Sequence, residues 1–183
     1  LGIGKSSFIA MKMAATLSST GTAALFLHPV DALHGDVGVI KKNDAVIIYS
    51  NSGETQEIIK LLPLLKLLKC CIISITGNLS SSLARYSNIS IDASVTREAC
   101  PHNLAPTSSI ICALAVSDAL ALAISLQNNF SIKDFAKTHP GGAIGKRLMV
   151  TVSRIMNKKN IPLVTENSKS VSYTHLRAHE TLV

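Results

Sequence analysis

The stretch that decides the fold is AVIIYSNSGETQE, residues 45–57. Its first part, Ala45–Tyr49, is apolar and predicts a buried strand, whereas the amphipathic residues 54–69 predict a helix. Between them, three hydroxyl side chains surround Gly53: Ser50, Ser52 and Thr55. Ligands bind at such junctions in parallel α/β sheets, because helix N-termini present unpaired N–H groups there. The stretch therefore predicts an α/β fold with a ligand site at this junction.

Outward from this stretch, predicted strands alternate with predicted helices. Helices are predicted at residues 5–19, 54–69, 80–86 and 107–126, and strands at residues 23–27, 45–49, 71–75 and 89–91. Pro63 predicts a kink or a break in the second helix. The last helix is apolar nearly all round, which predicts burial on several sides, as in a subunit interface. The alternation favours a parallel sheet, and the lack of an apolar run before Gly2 predicts that the first strand is missing upstream.

Composition favours a small anionic ligand over a macromolecule. With 183 residues, 47% of them hydrophobic, the chain suits one globular domain with a real core. The net charge of +7 permits nucleic-acid contact, but Trp is absent and the basic residues are scattered, so we expect no nucleic-acid partner. No unbroken apolar run approaches the roughly 18 residues that span a bilayer, so we expect no membrane partner.

The cysteines indicate a reducing compartment. They are Cys70, Cys71, Cys100 and Cys112, and none of them forms a C-x-x-C motif. Small buried thiols in a cytoplasmic protein explain them better than disulfides or a zinc site.

Two short loops are candidate phosphate sites. Residues 2–7 open the first helix and residues 50–55 open the second, and neither has the P-loop or the Rossmann glycine spacing. Both supply backbone N–H groups, hydroxyls and a positive helix end, which suit a phosphate monoester. One hydroxyl would be explained by helix capping, but three around a glycine favour phosphate. The candidate phosphate ligands are Ser6, Ser50, Ser52 and Thr55.

Several acids and bases stand out against apolar surroundings. They are His34, Glu57, Glu98 and His139. Each has an ordinary explanation, such as a loop histidine that bonds its own backbone, a carboxylate at a helix N-terminus or a solvent-facing charge. Near a bound phosphate, the same side chains could move a proton next to a carbonyl group. A glutamate works best as such a base when burial raises its pKa toward neutrality, and we expect this of Glu98.

Seven short motifs occur in a fixed order between residues 2 and 148. They are GIGKS at 2–6, KMAATLSSTGT at 12–22, HGD at 34–36, SNSGET at 50–55, EACPHNLAPTSS at 98–109, SDAL at 117–120 and HPGGAIGKRL at 139–148. Together they resemble the SIS (sugar isomerase) domain, and specifically the arabinose 5-phosphate isomerase family, over residues 2–164. One departure is Ser7, where the family commonly has glycine.

The resemblance implies a five-stranded parallel sheet between helices and a homotetramer with active sites shared between subunits. It also implies interconversion of D-ribulose 5-phosphate and D-arabinose 5-phosphate, which supplies the eight-carbon acid sugar Kdo of lipopolysaccharide. The functional positions of the family fall on Lys5, His34, Glu57, Glu98 and His139. This chemistry requires no redox or metal cofactor, and a metal on His34, Glu57 and His139 would be adventitious and inhibitory.

The resemblance also divides the chain. Residues 1–150 correspond to an N-terminally truncated SIS domain, and residues 151–170 to a linker and the start of a first CBS domain. Residues 171–183, VSYTHLRAHETLV, resemble translated adapter read-through, so His175 and His179 are excluded from the site. Two other functions remain open: isomerisation of a different sugar phosphate, and sugar-phosphate sensing by a non-catalytic SIS module.

Overall fold

A parallel sheet with helices on both faces forms the centre of the molecule. The computed structural model describes residues 1–142, 145, 150, 151 and 156. The elements in chain order are α1 Lys5–Ser19, α2 Pro29–Leu33, a 3-10 turn Asp36–Val39, β1 Ala45–Tyr49, α3 Gln56–Leu67, β2 Cys71–Thr76, α4 Ser82–Tyr86, β3 Ile89–Asp92, α5 Ser108–Gln127 and α6 Ile132–Thr138. This architecture confirms the predicted α/β class.

In the described part of the chain three strands pair in the order β1-β2-β3, and all of them are parallel. These are fewer than the five strands that the resemblance implies. Val46 lies opposite Ile72, and Ser74 lies opposite Ser90. At the free edge of β1, Gly2 forms a parallel bridge with Tyr49, whose N–H donates to the Leu1 carbonyl at 3.0 Å. The loop that enters α1 and the loop that leaves β1 therefore lie side by side at the carboxyl end of the sheet.

The core has one layer on each face of the sheet. The layer under α3 and α4 consists mainly of Ile48, Ile58, Leu61, Leu62, Leu65, Ile72 and Leu83. The layer under α1 and α5 consists mainly of Ile9, Met13, Leu17, Tyr49, Ile75, Ala113 and Ala121. Burial of these apolar side chains is the main force that holds the helices on the sheet, and the predicted sandwich is confirmed.

Most predicted elements are confirmed to within two residues, but three local features differ from the predictions. Residues 23–27 are not a strand, because no other part of the described chain pairs with them. Of the kink or break predicted at Pro63, the break does not occur, because α3 continues through Pro63 to Leu67. Residues 28–44, for which no helix or strand was predicted, contain α2. This helix is started by Pro29 and by the His28 side chain, which accepts a hydrogen bond from the Val30 N–H at 3.3 Å.

Within the described part of the chain, α5 is buried on one side only, and its predicted burial on further sides in a subunit interface stays a prediction. Its buried residues form one stripe at four-residue spacing: Ser109, Ala113, Ser117 and Ala121. Ile111, Leu122 and Leu126 are 64%, 55% and 79% exposed. By length and composition α5 could cross a bilayer, although polar residues interrupt its apolar sequence. Core helices of globular proteins meet the same criterion.

The expected linker, CBS segment and tail at residues 151–183 lie outside the described residues, apart from positions 151 and 156. The same holds for His175, for His179 and for most of the HPGGAIGKRL motif beyond residue 142.

Candidate functional site

The loop between β1 and α3 is folded around its own hydroxyl groups. The Ser50 Oγ accepts a hydrogen bond from the Gly53 N–H at 3.1 Å and lies 2.8 Å from the Thr55 Oγ1. The Ser52 Oγ accepts from the Glu54 N–H at 3.2 Å. Gly53 takes a φ of 68°, which favours glycine. The hydroxyls are therefore positioned before any ligand binds.

The N-terminus of α3 faces the same loop and carries no side-chain cap. Thr55 occupies the cap position, but its hydroxyl bonds Ser50 instead of a helix N–H. The first N–H groups of an α-helix lack intrahelical partners and carry the positive end of the helix dipole. This geometry favours an anion site over ordinary capping by Thr55.

The opposite wall of the site is built by residues 95–106 and carries Glu98. Its carboxylate accepts hydrogen bonds from the Thr107 N–H at 2.7 Å, the Thr107 hydroxyl at 3.1 Å, the Ser109 N–H at 3.2 Å and the Ser109 hydroxyl. These bonds lower the pKa of Glu98 to about 2, and the bond from the Ser109 hydroxyl contributes most. This direction is opposite to the rise that we expected from burial, because hydrogen bonds to the charged form outweigh desolvation.

A cavity of about 500 Å³ joins the two walls. Five of the predicted site residues line it: Ser6, Ser50, Ser52, Thr55 and Glu98. Arg97 and Tyr49 also line it, and sequence reasoning missed both. The position of Arg97 beside Glu98, in a loop rich in turn residues, is a signal that could have suggested it. Tyr49 has no such signal, because in the sequence it is only the last apolar residue of a predicted strand.

The other four predicted residues do not line this cavity. Lys5 is exposed beside Ser6 at the start of α1, and Glu57 is half-buried in the first turn of α3. His34 is exposed at the end of α2. The structure thus places Lys5 and Glu57 next to the cavity loops without bringing their side chains into the lining.

His139 lies at the far end of α1 from the cavity. Its ring stacks on Phe135 at 3.9 Å between centroids, and its Nδ1 lies 3.0 Å from the Phe135 carbonyl oxygen. The neighbouring Thr138 hydroxyl donates to the Ser19 carbonyl at 3.1 Å. Because a 15-residue helix is about 20 Å long, His139 does not reach the Ser6 end of α1 in its own chain.

No cluster of three His, Cys, Asp or Glu side chains with metal-binding geometry occurs in the described part of the chain. His34, Glu57 and His139 therefore do not form one metal site within a single chain. The cysteines are all free thiols, of which Cys70 is buried and the other three are half-buried.

Comparisons with known proteins agree with this geometry. The SIS domain family matches residues 1–123. Arabinose 5-phosphate isomerase KdsD of Francisella tularensis is 54% identical over 164 residues, covering 89% of this chain and 50% of that protein. The enzyme of the same name from Pseudomonas aeruginosa is 52% identical over 157 residues, covering 86% of this chain and 48% of that protein. The chain spans about half the length of these curated relatives.

A solved structure supports the same assignment. The structure of Escherichia coli CFT073 c3406 in complex with arabinose 5-phosphate is 47% identical to this chain, with a TM-score of 0.74. The similarity covers 76% of this chain and 74% of that one. With its parallel sheet, its hydroxyl loop at the start of α3 and these matches, the chain belongs to the SIS domain family.

Proposed function

We propose that this chain carries the active site of an aldose–ketose isomerase that interconverts D-ribulose 5-phosphate and D-arabinose 5-phosphate through a cis-enediol. The observation that carries the proposal is the cavity in which the hydroxyl loop and the uncapped N-terminus of α3 face the Glu98 carboxylate. Its volume of about 500 Å³ suits a small ligand. The names of the relatives at about 50% identity support this choice of substrate.

The hydroxyl loop binds the phosphate in this proposal. Ser50, Ser52 and Thr55 hold its oxygens together with the N–H groups of α3, and Ser6 approaches from the start of α1. A phosphate fixed at one wall holds the sugar carbons near the other wall, where Glu98 lies. Such fixation removes much of the entropy cost of bringing the reacting carbon to a base.

Proton transfer between the two sugar carbons is assigned to Glu98 and His139. A carboxylate takes the proton from the carbon next to the carbonyl and returns it to the neighbouring carbon, and an imidazole moves protons between the two oxygens. Lys5 stabilises the enediolate oxygen. Glu57 and His34 orient hydroxyl groups or supply charge from across a subunit boundary.

The distance between His139 and the cavity supports a site shared between subunits. His139 and the Ser6 loop lie at opposite ends of α1, so the imidazole reaches a cavity only if another chain supplies that cavity. The exposed apolar side chains of α5 offer a surface for such an assembly. We propose a homotetramer that acts in the cytoplasm and needs no nucleic acid, membrane or cofactor. We also propose that its product supplies Kdo synthesis and that the chain continues into CBS domains.

A second candidate is a SIS module that senses a sugar phosphate without converting it. The observation that favours it is the hydrogen bonding of Glu98, because its carboxylate caps the N-terminus of α5. A sensor needs the hydroxyl loop and no base. A different sugar-phosphate substrate for an isomerase is a third possibility that the same assay addresses.

Turnover of D-ribulose 5-phosphate tests the proposal. We expect D-arabinose 5-phosphate to appear with the wild-type protein, and Glu98→Gln to lower kcat by about 10²–10⁴-fold, the usual loss on removing a general base. Glu54→Gln is the matched control, because Glu54 is an exposed carboxylate near the same loop that accepts from the Ser82 N–H. Binding of the sugar phosphate without turnover would favour the sensor.

A further inference from the structure

The Glu98 carboxylate is bonded by two backbone N–H groups and two hydroxyls, all from Thr107 and Ser109. The Glu98 backbone is fixed as well, because its N–H donates to the Asn103 Oδ1 at 2.6 Å. Glu98 lines the cavity, and both of its carboxylate oxygens are held from the α5 side. Its direction therefore depends on the first turn of α5.

We propose that Ser109 is a positioning residue that fixes the orientation of the Glu98 carboxylate at the wall of the cavity. This role rests on the proposed isomerase function. Ser109 is buried, and it contributes both its N–H and its hydroxyl, one to each carboxylate oxygen. The Thr107 hydroxyl also bonds Glu98, but it accepts a second hydrogen bond from the Ala99 N–H at 2.8 Å. Among the described hydrogen bonds, the Ser109 hydroxyl bonds only Glu98.

Hydrogen bonds, rather than a neighbouring charge, set the ionisation of Glu98. The titratable side chains of the surrounding elements are Lys5 on α1, Tyr49 on β1, Glu54 and Glu57 around the start of α3, and Arg97, Cys100 and His102 in the Glu98 loop. Only Tyr49 and Arg97 of these line the cavity. The low pKa of Glu98 follows from its hydrogen bonds to Ser109 and Thr107. The bond from the Ser109 hydroxyl makes the largest contribution. Removing that hydroxyl should make Glu98 easier to protonate.

The test compares Ser109→Ala with Ser109→Thr, which keeps a hydroxyl, and with Ser108→Ala. Ser108 is the adjacent half-buried serine and makes no contact with Glu98 among the described hydrogen bonds. The first readout is the ¹³C NMR titration of glutamate carboxyls, with Glu98 assigned by Glu98→Gln. We expect the Ser109→Ala titration to lie about one pH unit above that of the wild type, as for loss of one hydrogen bond to a charge.

The second readout is the split between kcat and KM for D-ribulose 5-phosphate. We expect Ser109→Ala to lower kcat about tenfold, because the carboxylate loses the orientation that the Ser109 hydroxyl gives it. KM should change little, because the phosphate is held on the other wall. Ser109→Thr should restore most of kcat, and Ser108→Ala should match the wild type.

Three results would overturn the proposal: an unchanged Glu98 titration in Ser109→Ala, a rise in KM with kcat intact, or an equal effect of Ser108→Ala. A wild-type protein that binds the sugar phosphate without converting it would refute the isomerase and the catalytic part of this role. The titration would still decide, independently of activity, whether Ser109 governs the ionisation of Glu98.

Discussion

At the scale of single residues, Gly53 holds the phosphate loop in shape. Its φ of 68° is disfavoured for other residues, and a Cβ at this position would meet the side chain of Ser81. Ser81 is buried and caps α4, where its Oγ accepts from the Ala84 N–H at 3.3 Å. The Leu83 N–H also donates to the Gly53 carbonyl at 3.1 Å. The loop and the start of α4 therefore fit together only with a glycine.

We expect Gly53→Ala to lower the free energy of unfolding by about 1–3 kcal/mol, from backbone strain and overpacking. Because the loop hydroxyls move with the backbone, affinity for D-arabinose 5-phosphate should fall as well. Chemical denaturation and calorimetric titration measure the two effects. Gly38→Ala is the control, since no atom lies within 4 Å of its added Cβ. Equal effects of the two substitutions would contradict this account of the loop.

The sequence predicted some of these residues better than others. Ser50, Ser52 and Thr55 were predictable, because a buried strand followed by hydroxyls and a helix start fixes their position locally. The hydrogen bonding of Glu98 was not, because its donors at Thr107 and Ser109 lie about ten residues further along the chain and come close only when α5 packs on the sheet. Arg97 has only its place beside Glu98 in a loop rich in turn residues as a local signal.

At the scale of elements, a buried hydrogen bond ties the end of β1 to the middle of α5. The Tyr49 hydroxyl lies 2.8 Å from the Ser117 Oγ, and the Ser117 hydroxyl lies 2.6 Å from the Ala113 carbonyl oxygen, to which it donates. Tyr49 is therefore the donor to Ser117. Burial raises the pKa of Tyr49 to about 12, so this bond persists through neutral pH.

Tyr49→Phe removes this bond and keeps the ring in the core. We expect the free energy of unfolding to fall by about 1 kcal/mol, as for a typical buried hydrogen bond. Tyr86→Phe is the control, because Tyr86 is largely exposed and its ring contacts Lys66. A loss in Tyr86→Phe as large as that in Tyr49→Phe would contradict a role of the buried bond in holding α5 on β1.

Elements were predictable where their own residues decide them. The apolar run of β1 and the amphipathic pattern of α3 are local signals, and both elements lie where predicted. Residues 23–27 show that strand-like sequence is insufficient, since a strand forms only beside a partner that takes up its backbone hydrogen bonds. α5 has apolar residues all round, so its residue pattern does not indicate which side faces the sheet.

At the scale of the whole molecule, α5 presents an apolar surface that the described part of the chain leaves exposed. Ile111, Leu122 and Leu126 are exposed, and residues 11 and 15 positions apart on a helix lie within about 60° of each other. Contiguous apolar patches of this kind indicate an interface or a tendency to aggregate. His139 lies far from the cavity of its own chain, which also indicates an assembly of several chains.

We expect the protein to self-associate and the combined substitution Ile111→Gln, Leu122→Gln and Leu126→Gln to lower its oligomeric state. Sedimentation velocity measures the mass of both proteins. Leu67→Gln is the control, because Leu67 is equally exposed but lies at the end of α3. A wild-type monomer, or a triple variant with unchanged mass, would contradict the assignment of α5 to an interface.

The central claim is that the cavity between the hydroxyl loop and Glu98 isomerises a five-carbon sugar phosphate by proton transfer. The most direct measurement is NMR of D-ribulose 5-phosphate incubated with the protein in D₂O, with Glu98→Gln alongside. We expect D-arabinose 5-phosphate to appear with deuterium at C2, to the extent that the abstracted proton exchanges with solvent before its return, and we expect Glu98→Gln to slow its appearance. Recovery of unchanged ketose from a protein that binds it would contradict the claim.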